Sequence, residues 1–319
     1  MYIEPLYFID DEMNELVESI NKKLNKIEIT DTQKRKYMIA KSRVRSIHSS
    51  LSIEANSLSL FDIENIIQDK KILGKNDEIQ EAKNAIEVYK HINEYNYKSE
   101  EDFLKAKQIM TKYFDDNNGY RNHGEGVEKE EVIIYMAPES ILVPELMKSL
   151  FEFINKSNLN LLVLSAIFHY YFVVIHPFSD GNGRMARFWV SLMLINYNKN
   201  FEFIPIEEEI YLNQEEYYSS ITQCHINHNA NEFIKFMLKI INSSLDKIIK
   251  CNNYMLNDIQ NRIIELIIND KTITQSKIAD IIGVNIRTIK RNFKILIDNN
   301  VIRRIGSDKK GYWEIEKEN

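Results

Sequence analysis

Scarcity of chain breakers constrains this sequence more than any other feature: 319 residues contain only nine glycines and five prolines. Sandwiches and barrels turn often and spend glycine or proline at many of those turns, so few breakers means few strands. Ile, Leu, Lys and Glu recur throughout, and the chain is therefore expected to be mostly α-helical. Its length exceeds the roughly 100–200 residues of one ordinary domain, which predicts two or three units.

Charge narrows the function classes. Lys and Arg number 41 against 47 Asp and Glu, a net charge of −6, which excludes a basic coat over the whole molecule but not a local basic patch. The last stretch, 258–319, holds twelve Lys and Arg and nine Asp and Glu, so it carries +3 and leaves −9 for the remainder. Cys224 and Cys251 stand in neither a CxxC nor a Cys/His ligand spacing, which argues against a disulfide framework or a zinc module. The N-terminus lacks the basic and apolar regions of a signal peptide, and the apolar run Leu159–Ile175 is interrupted by Asn160, Ser165 and His169. That run reads as a buried central helix, with no membrane partner, and the cytoplasm is the expected compartment.

Apolar residues spaced by three and four predict helix from Asn14 to Ile53, at Glu78–Tyr95, Glu101–Tyr113, Val143–Asn155, Met185–Tyr197, Tyr217–Cys224 and Ala230–Ile249. Asp115 to Gly119 is the strongest turn signal. Val132, Ile133, Ile134 and Tyr135 form a β-branched and aromatic run bounded by Gly124, Gly126 and Pro138, which predicts a short hairpin. The tail reads as helix Asp258–Ile268, helix Thr274–Ile282, a turn at Gly283, helix Ile286–Asn299 and strands Val301–Ile305 and Tyr312–Ile315, the order of a winged helix-turn-helix.

One segment carries chemistry. Between the apolar runs stands His-Pro-Phe-Ser-Asp-Gly-Asn-Gly-Arg-Met-Ala-Arg, residues 176–187. If a helix starts near Asn182, its free N–H groups, approached past Gly181 and Gly183, cradle an anion, and phosphate is the obvious guest. Arg184 and Arg187 are three apart, so both project from one helical face and can clamp further phosphate oxygens. Asp180 is placed to hold Mg²⁺ against those oxygens, and His176 to take a proton from an attacking hydroxyl. His176 and Asp180 could instead be ligands in a metal hydrolase, although no third or fourth ligand of matching spacing is apparent.

The segment resembles the Fic motif HPFxDGNGRxxR at every specified position. The Fic family transfers AMP from ATP to a hydroxyl of a target protein, so the resemblance implies a Fic/Fido helical core with a short β-hairpin flap, and a protein adenylyltransferase using ATP and Mg²⁺. It implies His176 as general base, Asp180 as metal ligand, Asn182 and Gly183 as the anion hole with Gly181 beside them, and Arg184 and Arg187 on the distal phosphates. Gly119, Tyr120 and Arg121 resemble the GxYR stretch at the start of the family's core, and Val132–Tyr135 the flap that pairs with an extended target segment. Tyr217 and Tyr218 resemble the pair lining the adenine pocket. An asparagine often follows that pair; here His225 falls near its place, with Asn227 two further on. Ordinary helix packing explains the two tyrosines equally well.

Upstream, Ser50 and Glu54 resemble the family's inhibitory motif [S/T]xxxE[G/N], with Ala55 where Gly or Asn is expected and Asn56 next. A carboxylate delivered to an anion site competes with a phosphate for the arginine there. The resemblance thus implies that Glu54 takes Arg187 and keeps the enzyme off, with ATP still bound but misaligned. In some relatives the same glutamate positions water to remove AMP, so hydrolytic reversal is an alternative activity.

Arg287, Lys290, Arg291 and Lys294 share one face of the expected helix Ile286–Asn299, the pattern of a recognition helix, while a solvated face used for protein contacts fits them as well. A domain charge of +3 gives weak, salt-sensitive DNA binding, strengthened in a homodimer. A DNA-binding regulator with a nucleotide-sensing domain is therefore the competing reading of the whole chain. The expected organisation is an N-terminal helical region with the inhibitory motif at 1–95, a catalytic core at 96–245, a linker helix at 246–257 and a winged-helix domain at 258–319. The target protein is not legible.

Overall fold

The computed structural model of the chain describes residues 5–115, 117, 119–124, 126–129, 132–253, 258–298, 301–306 and 311–315. Two compact units divide it, Met1–Ile248 and Ile249–Asn319. Helices dominate both, as the scarcity of breakers predicts.

The first unit begins with α1 (Asp11–Leu24) and α2 (Thr32–Ile53), where the periodicity predicts one helical stretch from Asn14 to Ile53. The break needs no glycine or proline. Asp31 accepts hydrogen bonds from the Gln33 and Lys34 N–H groups at 2.8 and 3.2 Å, and this local partnership starts a new helix rather than continuing the old one. Then come α3 (Leu60–Ile67), closed by a Ser59/Asp62 capping box, α4 (Asn76–Lys90) and α5 (Glu100–Met110). The antiparallel hairpin β1 (Gly126–Lys129) and β2 (Val132–Met136) pairs Gly126 with Met136 and Lys129 with Val132, with a register shift between Val127 and Glu128. The side chains of Val132, Ile133, Ile134 and Tyr135 lie outside the described residues, as do Asp116 and Asn118 of the predicted turn.

Six helices follow: α6 (Val143–Lys156), α7 (Leu161–Ile175), α8 (Asn182–Tyr197), α9 (Ile206–Leu212), α10 (Gln214–Asn227) and α11 (Asn231–Asn253), whose last residues fall beyond Ile248. α7 is apolar almost all round because it is the core helix. Among the described residues no helix is long and apolar enough to cross a membrane. α7 packs along α8, and Phe103 of α5 lies against Phe168, Phe172, Phe178 and Trp189 with ring centroids 4.9–6.0 Å apart. This aromatic cluster fixes the loop between α7 and α8, since complete burial of Phe178 alone is worth ~1.5–3 kcal/mol.

The second unit contains α12 (Asp258–Asn269), α13 (Gln275–Ile282), α14 (Ile286–Asp298) and the antiparallel pair β3 (Ile302–Ile305) and β4 (Tyr312–Ile315), with Ile302 opposite Ile315. Ile263, Ile267, Ile278, Ile289, Phe293 and Leu296 form its core with Trp313. This is the winged helix-turn-helix order that the sequence predicts.

Candidate active site

The loop from α7 to α8 is held by its own backbone geometry. His176 ends α7 in the left-handed conformation (φ 47°, ψ 59°), uncommon for a residue with a side chain and often tied to function. Arg121, buried at 2% exposure, clamps the turn from outside: its N–H donates to the Pro177 carbonyl at 2.9 Å and its Nε to the His176 carbonyl at 2.7 Å. Its guanidinium also reaches the His123 and Pro138 carbonyls, so one side chain ties the loop to the segments on either side of the hairpin. The sequence points to Arg121 only through the Gly119–Arg121 resemblance; its grip on these carbonyls is visible only in three dimensions.

Inside the loop, Phe178 stacks between Phe103 and Tyr120, and the fully buried Lys107 ammonium lies 5.2 Å from its ring centre. The Asn182 side chain accepts from Phe178 N–H at 3.0 Å and donates to the Phe178 carbonyl at 2.7 Å. Asn182 is thus occupied with the loop, and what it offers an anion is its backbone N–H. Gly181 precedes α8 at φ 81°, and a Cβ there would lie 2.8 Å from Thr111 Cγ2. The first backbone bond of α8 runs from Met185 N–H to the Gly181 carbonyl, so the N–H groups of Asn182, Gly183 and Arg184 have no partner within the helix, the expected anion cradle.

A carboxylate stands at this cradle. Glu54, at the end of α2, accepts from Arg187 Nη2 at 2.7 Å, and a Cβ on Gly183 would fall 2.1 Å from Glu54 Oε1. Arg187 is 1% exposed and donates as well to Ser50 Oγ at 3.0 Å and to the Ser50 carbonyl at 2.9 Å. The structure therefore brings Ser50, Glu54, Gly183 and Arg187 together from two helices far apart in the chain. Ala55 follows in the left-handed conformation at φ 63°, its N–H bonded to the Ser52 carbonyl and that of Asn56 to the Leu51 carbonyl. This is a Schellman turn, whose left-handed position favours Gly or Asn; Ala fills it at a cost of about 1 kcal/mol. α2 is anchored further back, where the Ser46, Tyr89 and Ser191 hydroxyls all donate to the buried Glu207 carboxylate at 2.6–2.8 Å.

Arg184, one turn before Arg187, is also buried, and its Nη2 donates to Asp180 Oδ2 at 2.6 Å. Asp180 Oδ1 accepts from Gly181 N–H at 2.6 Å, and its side chain is 45% exposed. Glu81 of α4, which no sequence motif singles out, brings Oε1 to 3.2 Å from Arg184 Nη1. Among the described residues no group of three or more His, Cys, Asp or Glu is placed to hold a metal ion. Mg²⁺ commonly takes one or two carboxylates and completes its shell with substrate phosphates and water, so a half-exposed Asp180 beside the cradle fits it as donor.

Of the expected adenine residues, Tyr217 and Tyr218 meet edge to face with ring centroids 5.0 Å apart. Tyr217 points inward, 2% exposed, its hydroxyl 2.9 Å from His169 Nε2, whereas Tyr218 is 47% exposed and the His225 ring lies tilted against Tyr170 with ring centroids 5.8 Å apart. Burial, and then the Arg187 charge, push the His169 pKa down to about 3, so its ring is neutral. Burial raises the Tyr217 phenol, and Arg187 beside it pulls the other way. In the second unit, Arg287, Lys290, Arg291 and Lys294 are all exposed on α14.

Residues 97–194 match the Fic/DOC family and residues 256–303 the winged helix-turn-helix DNA-binding family. A Fido domain-containing protein of Dictyostelium discoideum is 30% identical over 142 residues, which cover 42% of this chain and 93% of that protein. A probable protein adenylyltransferase of Aquifex aeolicus is 29% identical over 151 residues, 46% of each chain. The chain spans less than half the length of the first curated adenylyltransferases it matches. The crystal structure of a Fic family protein from Desulfovibrio desulfuricans superposes with a TM-score of 0.74 at 28% identity, covering 99% of both chains.

Proposed function

As the chain belongs to the Fic/DOC family, we propose that it transfers AMP from ATP to a hydroxyl side chain of a target protein and of itself, and that Glu54 holds this activity back. The observation that carries the reading is the Glu54 carboxylate paired with Arg187 directly over Gly183.

In the transfer, the cradle of Asn182, Gly183 and Arg184 N–H groups binds phosphate oxygens, and the two arginines hold the distal phosphates. His176 takes the proton of the attacking hydroxyl as its oxygen bonds to the α-phosphorus, and pyrophosphate leaves. Asp180 would hold Mg²⁺, which supplies charge neutralisation at the phosphates when bound. The left-handed backbone at His176, fixed by Arg121, sets where that imidazole starts. β2 offers an extended backbone edge for the target segment. With Glu54 on Arg187, that guanidinium is spent and triphosphate cannot lie in line. We assign this reaction to the cytoplasm.

The test is the mass of the protein after incubation with ATP and Mg²⁺. Glu54→Gly gains one AMP, and adding His176→Ala removes the gain, lowering the rate ~10²–10⁴-fold as expected for loss of a general base. A Glu54→Gly protein modified no more than wild type would sink the brake.

A second reading concerns the second unit alone, whose four exposed cations on α14 favour DNA binding, tightened in a homodimer. Binding to duplex that weakens with salt, with a slope reduced by ~1 in Lys290→Ala, supports it; no binding at low salt removes it.

A further inference from the structure

Arg184 is more sparsely bonded than a buried guanidinium usually is. Its exposure is 3%, yet among the described residues Nε and Nη1 have no hydrogen-bond partner. Only Nη2 is bonded, to Asp180. Glu81 Oε1 sits 3.2 Å from Nη1, close enough for charge contact and out of line for a hydrogen bond. Glu81 is itself aimed: Asn56 Nδ2 donates to Glu81 Oε2 at 2.9 Å and to the Glu78 carbonyl at 3.1 Å.

The two carboxylates on Arg184 are not equivalent. Asp180 lies in the loop that precedes α8, on the same stretch of chain as Arg184, and its half-exposed carboxylate is the fitting metal donor. An Asp180 turned toward a cation releases Nη2. Glu81 comes from α4 and is fixed by Asn56, so it stays when Asp180 turns away. We propose that Glu81 is a positioning residue: it keeps the Arg184 guanidinium in the cradle, with donors unspent, for the phosphates of the incoming nucleotide. This rests on the nucleotide-binding reading above. Orienting residues behind a charged ligand group commonly govern its affinity.

The position of Asn56 adds a consequence. It is the second residue beyond Glu54 in the Schellman turn of α2, so the segment bearing the proposed brake also aims the support of the other arginine.

The experiment measures equilibrium binding of ATP with Mg²⁺, and of adenosine, by calorimetry in the Glu54→Gly protein, with no transfer needed. Adding Glu81→Gln should weaken ATP about tenfold, the loss of ~1.4 kcal/mol of guanidinium–phosphate interaction, and leave adenosine within about twofold. Glu81→Asp, which keeps the charge, should recover part of the loss, and Asn56→Ala should fall between. ATP binding by Glu81→Gln that is unchanged or tighter overturns the proposal, because Glu81 would then be a bystander or a competing anion. An equal loss for adenosine also overturns it, by showing that the pocket as a whole has collapsed. A Glu54→Gly parent that binds no ATP overturns both this proposal and the transferase reading. With a parent that binds ATP normally, a failure at Glu81 counts against the positioning role alone.

Discussion

Arg187 and Arg184 leave the same helix one turn apart, are similarly buried, and each faces a glutamate from the N-terminal third. Their bonding is opposite. Arg187 donates to a carboxylate, a hydroxyl and a carbonyl, all from α2 and its cap, and has Tyr217 behind it. Arg184 keeps two nitrogens unbonded among the described residues. A guanidinium with its donors spent resists an incoming phosphate, and one with donors in hand invites it. The two ends of one helical turn thus differ in bonding, one with its donors taken and one with donors in hand.

The largest test of that contrast is at Glu54. Its charge-assisted bond is worth ~1.5–3 kcal/mol, so Glu54→Gly should raise the initial rate of self-modification roughly 10- to 100-fold, read from labelled ATP; a rise as large from Glu81→Gly would erase the distinction. Ser50→Ala removes one bond of the Arg187 guanidinium to an uncharged hydroxyl, at the low end of that range at ~1.5 kcal/mol, and should raise the rate about tenfold in the same assay. His169 separates the two ends by pH. Its folded pKa of about 3 lies below the ordinary 6.5, so the unfolded chain binds the proton first. Stability from this group is present above 6.5 and is lost as pH falls toward 3, at up to ~1.4 kcal/mol per pH unit. Denaturant unfolding across that window should show wild type losing stability faster than His169→Gln; parallel curves would remove His169 and Tyr217 as the backing of Arg187. The smallest effect is at Ala55, where Gly relieves the left-handed strain and should stabilise the protein by about 1 kcal/mol in a denaturant midpoint, while lowering the basal rate slightly.

Much of this is legible where the information is local. The helix order, the winged-helix order of the tail and the contiguous His176–Arg187 segment are written in spacings of a few residues. The break between α1 and α2 is not, since it turns on Asp31 choosing nearby N–H groups over helix continuation. Glu81 carries no signal at all: its partner Arg184 lies far along the chain, and a single glutamate on a helix resembles many others. Tyr217 is ambiguous in sequence for a similar reason, because the same helical spacing serves a pocket wall or a core contact. The departure at Ala55 is explained by geometry: the turn there needs a left-handed residue, and a small side chain can occupy it with some strain.

The Asn182 clamp on Phe178 has one more consequence. Loop shape is secured by Asn182, Arg121 and the stacked rings, none of which depends on Glu54. Departure of that carboxylate therefore leaves the loop's scaffold standing, and α2 remains pinned at Ser46 by Glu207. Under the proposed brake, release then needs only a movement of about one turn of α2 and its side chains, without refolding of the site. Such a device responds on the timescale of local segment motion, so the delay before activity is set by the arrival of the releasing signal and not by the enzyme.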